Sequence, residues 1–202
     1  MMNRSIELRQ VIGDDKVLFS CEGTAESVII SKLFEHERLI VPSDRVICDP
    51  YTDACFTHSR KPESIQNQFL NQDYERNVSI ICVWDSLTAA LHLSRAYGKR
   101  TSVQYAITHP EIEMIVVYNE RFEQEYNAWV KHQRGKSGAK LKPSRFLKEE
   151  KNRDFRDIKK RDFLQEYWAD IDTLVMALQR YCQFTNPSKA TKRFMLADLV
   201  AN

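Results

Sequence analysis

The sequence predicts an α/β fold: a mostly parallel central sheet with helices on both faces, followed by a C-terminal helical extension. Three observations carry this. Short apolar runs alternate with stretches of helical periodicity from residue 17 to about residue 130, the order expected of parallel strands joined by covering helices. The run Val78-Ser79-Ile80-Ile81-Cys82-Val83-Trp84 is nearly all apolar and β-branched or aromatic, as suits a central strand buried on both faces. Beyond Glu111 the apolar residues recur only at helical spacing.

The elements follow in order. Val17 to Cys21 reads as a buried strand with a polar stop at Glu22-Gly23. Thr24 is placed to cap a helix from Ala25 to Phe34. Leu39-Ile40-Val41 suggests a second short strand, closed by Pro42. Pro62 opens a helix over 63–70, a favoured place for proline. After the central strand, which stops at Asp85-Ser86, Leu87 to Tyr97 reads as helix, with Gly98 marking its end. Ser102 to Ile107 is the next strand, ending at Thr108-His109-Pro110. A helix is expected from Glu111 to about Lys131, a mobile Lys/Gly loop over 133–142, a short helix from Pro143 to about Glu149, and a long amphipathic helix from Asp162 to Phe184. This divides the chain into an α/β domain (1–130), a basic loop and short helix (131–161), and a C-terminal helix with a tail (162–202).

Bulk properties exclude several classes. At 202 residues the chain can bury a core without disulfides or zinc. No apolar run approaches the ~20 residues that span a bilayer, so no membrane partner is expected. Met1-Met2-Asn3-Arg4 leads into polar sequence with no apolar signal core, and the five cysteines form no CxxC pair. A reduced, cytoplasmic protein is the simplest reading. There is no P-loop, GxGxxG or GxSxG motif, and the five histidines lack zinc-ligand spacing. The net charge of +2 is uneven: Lys131 to Arg161 holds 13 Lys or Arg against 4 Asp or Glu, leaving about −7 for the rest.

Strand ends are where a parallel sheet gathers functional groups, and Glu22, Asp85 and His109 all stand there. Two carboxylates at neighbouring strand ends suit Mg²⁺, which takes one or two carboxylates and fills its octahedron with water and phosphate oxygens. Gly23 permits close backbone approach, and the following helix aims its first amides at the same place. Glu22 is alternatively a proton shuttle, and acids after strands also serve as plain caps. Glu26 is either a helix-start charge or an outer ligand. Glu111 and Glu113 follow Pro110 as an ordinary acidic helix start would; on a helix they do not share a face, so at most one points at the site. The basic segment offers Arg134, Lys136, Lys140, Lys142, Arg145 and Lys148 for phosphates, with Trp129 and Phe146 near enough to stack on bases. Lysine-rich loops are also commonly just solvated, and the segment gains weight only if it faces the carboxylates.

Phe19-Ser20-Cys21-Glu22-Gly23-Thr24-Ala25-Glu26 resembles the first motif of Toprim-like domains, in the form of the RloB-like, phage-defence branch. Ile81-Cys82-Val83-Trp84-Asp85-Ser86 resembles the second motif. Thr108-His109-Pro110-Glu111-Ile112-Glu113-Met114 resembles the branch's stretch in which a proline precedes an acid and an apolar helix. The resemblance covers roughly residues 15–125. It implies a Toprim-like fold, Glu22 as general acid/base, Asp85 as first metal ligand, Mg²⁺ or Mn²⁺ as cofactor, and nucleic acid as partner. Gly23, Glu26, Ser86 and His109 would support the site. The family's second motif is Asp-x-Asp, whereas this chain has Asp85-Ser86-Leu87. Either Glu111 or Glu113 substitutes for the missing acid, or the domain binds nucleic acid without cutting it. The expected function is therefore a Mg²⁺-dependent nuclease of phage defence or mobile-element biology. The alternative is a non-catalytic nucleic-acid-binding module, or a regulatory subunit docking on a protein partner in a defence complex.

Overall fold

The computed structural model describes residues 4–108, 111–133, 141–151, 155–184 and 193–201. Its centre is a four-stranded, all-parallel sheet of β1 (Lys16–Cys21), β2 (Val78–Trp84), β3 (Thr101–Ile107) and β4 (Phe194–Met195), in that spatial order. Every residue of β2 is buried, as its nearly continuous apolar character requires; the one polar side chain, Ser79, bonds Asp15 and Ser102.

Alternation along the strands splits the core in two. Val17, Phe19, Cys21, Ile81, Val83 and Ala106 face one layer. Helices α1 (Arg4–Ile12), α2 (Thr24–Glu35), α4 (Met114–Asn119) and α8 (Ile171–Phe184) bury their apolar residues in that layer. Leu18, Ile80, Cys82 and Trp84 face the other layer, covered by Ile65 and Phe69 of α3 (Pro62–Ile65) with its π-helical continuation (Gln66–Leu70), and by Leu91. Hydroxyls inside the sheet find partners: Ser20 Oγ donates to Ser59 O at 2.9 Å and accepts from Trp84 Nε1 at 3.3 Å. The outer edge of β1 is shielded by single parallel bridges from Val46 and Thr57.

Several sequence expectations change. Residues 87–97 are not helical. Side chains take the backbone groups that a helix would have paired. Ser86 Oγ accepts from the amides of Thr88 and Ala89, the Tyr105 hydroxyl from Leu91 N at 2.8 Å, and Gln66 Oε1 from Ser94 N at 2.9 Å. The Arg193 guanidinium donates to the carbonyls of Ser86 and Ala89. Such local bonding competes directly with helix. Leu39 makes only an isolated antiparallel bridge to Val200. Thr24 is the first residue of α2 rather than its cap, which is Gly23, without a side-chain bond.

The helix expected from 111 to 131 divides into α4 and α5 (Glu123–Gln133) at Arg121, whose φ is +59°. The long helix expected over 162–184 is α7 (Arg161–Tyr167) and α8, with Asp170 accepting from the amides of Asp172 and Thr173 at the break. The short helix α6 (Pro143–Glu150) lies where expected. Trp129 and Phe146, read as base-stacking candidates, are buried against each other and Tyr126. They are core. β4 and α1 were not read from the sequence. Among the described residues no helix is long and apolar enough to cross a membrane.

Candidate functional site

The parallel register pairs Cys21 with Val83 and Trp84 with Ile107, so Glu22, Asp85 and Thr108 leave the sheet side by side at its carboxyl edge. Asp85 N donates to Glu22 Oε2 at 2.9 Å, and Arg60 Nη1 donates to Glu22 Oε1 at 2.6 Å. The Arg60 guanidinium also lies 4.9 Å from the Trp84 ring centroid. In the first turn of α2, Glu26 is buried and accepts from Thr108 Oγ1 at 3.2 Å. A Cβ on Gly23 would stand 3.0 Å from Glu26 Oε2, so the glycine leaves room for this carboxylate to fold against the strand-to-helix turn.

Glu22, Gly23, Glu26 and Asp85 line a cleft of about 200 Å³ together with Glu111, Glu113 and Lys159. Both acids of the Glu-Ile-Glu stretch reach it, contrary to the one expected from helical spacing. The reason is local: α4 starts only at Met114, and residues 111–113 form a turn, with Met114 N bonded to Glu111 O and Val116 N to Glu113 O. Glu111 accepts from Ser144 Oγ at 2.7 Å and is ion-paired with Lys142. Lys159 Nζ stands 3.6 Å from Glu111 and 3.4 Å from Glu113.

The electrostatics of the cleft are uneven. Burial pushes the Glu26 carboxyl up to about 7; the charges of Glu113 and Glu22 add to the rise, and the Thr108 hydroxyl opposes it. Burial also raises Glu113, against the pull of Lys159 and with the push of Glu111. At Glu111 burial acts in the same sense, but the hydrogen bonds from Lys142 and Ser144 and the charge of Lys159 outweigh it and hold the carboxyl below its ordinary value. When Glu22, Glu26, Asp85, Glu111 and Glu113 are all ionised, they outnumber by two the cations touching them among the described residues, Arg60, Lys142 and Lys159. Protonation of Glu26 relieves part of that excess. A divalent cation would neutralise it in full, and a carboxylate-rich oxygen set suits Mg²⁺ or Mn²⁺. As placed, no three His, Cys, Asp or Glu among the described residues converge closely enough to cage an ion.

The other candidates separate. Ser86 serves its own turn, and Leu87, where the resemblance would expect a second acid, is exposed. Of the basic candidates, Lys142 turns inward to Glu111, Arg145 pairs with Glu149 one turn along α6, and Lys148 is exposed. His109, Arg134, Lys136 and Lys140 lie outside the described residues, as does most of the loop expected over 133–142. Sequence reading missed Arg60 and Lys159. Nothing local distinguishes either from the other basic residues around it, since their partners are distant in the chain. A larger, more open cleft of about 520 Å³ beside α2 includes Phe34, Asp49, Phe56, His58 and Arg161. Glu35 and Asp53 line it as well, while its Asp49 is committed to the amides of Tyr51 and Thr52.

Comparison with protein-family models, curated proteins and solved structures finds no match to this chain.

Proposed function

We propose that this chain is a Toprim-like, Mg²⁺- or Mn²⁺-dependent nucleic-acid-processing protein, a nuclease of phage defence or mobile-element biology. The observation that carries the reading is the meeting of five carboxylates at one sheet edge, two of them with raised pKa, in a cleft with more negative than positive charge. Glu22 and Asp85 would hold the metal, and Glu113 would have to move toward them to replace the acid missing at Leu87, since as placed no three acids among the described residues converge. The chemistry a divalent ion would supply there is polarisation of a phosphodiester and neutralisation of the charge developing on it. Glu26, titrating near neutrality, is suited to take and return a proton. The first turn of α2 favours an anionic phosphate at the same place. Arg60 orients Glu22 by its ion pair and is itself fixed on Trp84.

The test is incubation with DNA and with RNA, tRNA included, with and without Mg²⁺ or Mn²⁺. Metal-dependent cleavage by the natural chain, lost in Glu22→Ala and Asp85→Ala, is expected. No cleavage of any substrate, with toxicity or defence unchanged in both variants, would sink the proposal.

One observation favours a second reading, a non-catalytic nucleic-acid-binding module or a regulatory subunit docking on a protein partner. The cleft already carries its own cations, with Arg60 on Glu22 and Lys142 on Glu111. A module of the nucleic-acid-binding kind binds with strong salt dependence. Binding would survive Glu22→Ala and fail when Lys136, Lys140 and Lys148 are neutralised together.

A further inference from the structure

One excursion of the chain meets the outer edge of β1 twice. Ile47 N donates to Val17 O and Thr57 N to Phe19 O, each at 2.8 Å. Those carbonyls are two residues apart on β1, so the two donors lie about 7 Å apart, although the loop 48–56 runs between them. Just beyond this neck the loop is pinched again. Asp49 N donates to Ala54 O at 2.8 Å and Asp53 N to Asp49 O at 2.9 Å, while the Asp49 carboxylate accepts from the amides of Tyr51 and Thr52. Asp49 and Ala54 therefore face each other across two antiparallel arms. The next pair toward the neck is Cys48 and Cys55. A pair that follows a hydrogen-bonded one in an antiparallel ladder has its Cα atoms about 4.5 Å apart, inside the range of about 4.4–6.8 Å that a disulfide spans. Both residues are free thiols packed in the core layer of α2, Cys55 buried and Cys48 partly buried.

We infer that Cys48 and Cys55 are a redox pair, forming a reversible disulfide that locks the neck of the loop 48–56, with a low-molecular-weight disulfide such as oxidised glutathione as the oxidant. The more accessible Cys48 gives its proton to water and attacks one sulfur of the oxidant. A mixed disulfide forms on Cys48, and one glutathione thiolate leaves and takes up a proton. Cys55 then loses its proton and attacks the Cys48 sulfur, and the second glutathione leaves in the same way. Two protein thiols are oxidised, and one disulfide is reduced to two thiols. Burial pushes the Cys55 thiol up to about 11, with the Ser31 side chain opposing and Cys48 adding to the rise. Burial also raises Cys48, helped by the charge of Asp53. The thiolate is the nucleophile, so the exchange is slow at neutral pH and faster in base. The new bond fixes Cys55 in the wall of the larger cleft, and it fixes the neck that continues through 57–59 to Arg60, the partner of Glu22. The pairing follows from backbone geometry and needs no metal.

The test equilibrates the full natural chain with oxidised glutathione at pH 8, quenches with acid, alkylates the remaining thiols and maps the disulfides by peptide mass spectrometry. A Cys48–Cys55 link is expected as the main product, reversed by dithiothreitol. Chymotrypsin supplies a second readout, because Tyr51 in the loop is 88% exposed. Cleavage after Tyr51 should be several-fold slower in the oxidised chain, since the disulfide restrains the local opening that a protease needs. In Cys48→Ser the cleavage rate should no longer respond to the oxidant. A main product that joins Cys21 to Cys55, that keeps glutathione on Cys48 without closing the ring, or that leaves both thiols free overturns the inference. So does a Cys48–Cys55 link that leaves cleavage after Tyr51 unchanged.

Discussion

The two walls of the acidic cleft are built on different principles. On the strand-end wall, Glu22 and Asp85 are partly exposed, and Glu22 is held by an exposed Arg60 and a backbone amide. On the opposite wall, Glu111 and Glu113 are buried, and their counter-charges come from Lys142 and Lys159, far along the chain. Exposed pairs contribute little to stability because water screens them and two side chains must be ordered. Pairs with a buried member contribute through the penalty of leaving that member unpaired. The first wall can therefore exchange partners cheaply. The second trades the stability of the fold against the charge state of its acids.

Three perturbations sharpen that contrast. The largest concerns Glu26, which lies between the walls. Its folded pKa of about 7 exceeds that of an ordinary carboxyl, so the folded state holds this proton more tightly than the unfolded chain. The stability it contributes is complete below about pH 4.3, the ordinary glutamate value, and is lost as pH rises through about 7. Integrated over that interval the loss is on the order of 3 kcal/mol. Urea unfolding at pH 5 and at pH 8 should show it, with the raised Glu113 adding in the same direction, and Glu26→Gln should flatten the difference. A natural chain equally stable at both pH values would contradict the assignment.

Next is Lys142→Met, which strips Glu111 of its closest cation. The expected loss is about 1–2 kcal/mol at pH 7, reduced from the cost of a fully buried pair because Lys142 is 41% exposed. Adding Glu111→Gln to that variant should restore most of it, a recovery that distinguishes an unpaired charge from lost packing. Smallest is Arg60→Met, expected to cost under about 1 kcal/mol. If Arg60→Met proved as damaging as Lys142→Met, the distinction between the walls would collapse.

How legible this was in the sequence depended on the range of the interactions. The runs 17–21 and 78–84 announced their strands because burial on both faces demands continuous apolar residues, whereas the strand holding 102–107 is fully buried only at Ala106 and Ile107. The acids were legible because a parallel sheet must deliver strand ends to one edge. Residues 87–97 carry a helical pattern, yet their backbone is claimed by Gln66, Tyr105 and Arg193, all distant. β4 is two residues long, too short for any periodicity. Arg60 and Lys159 were invisible for the same reason: only the folded chain brings them to Glu22 and Glu113.

Arg193 carries one more consequence. Its guanidinium donates to the carbonyls of Ser86 and Ala89 and lies 4.5 Å from the Tyr105 ring centroid, one residue before β4 joins the sheet. The segment after Asp85 and the end of the chain are thus pinned by a single side chain. Neither can open alone without breaking the same bonds, so in native-state hydrogen exchange they should behave as one cooperative unit. The amides of 88–94 and of 194–196 should then share an opening free energy, and Arg193→Ala should lower both together, loosening the loop that carries Asp85 from the far end of the sequence.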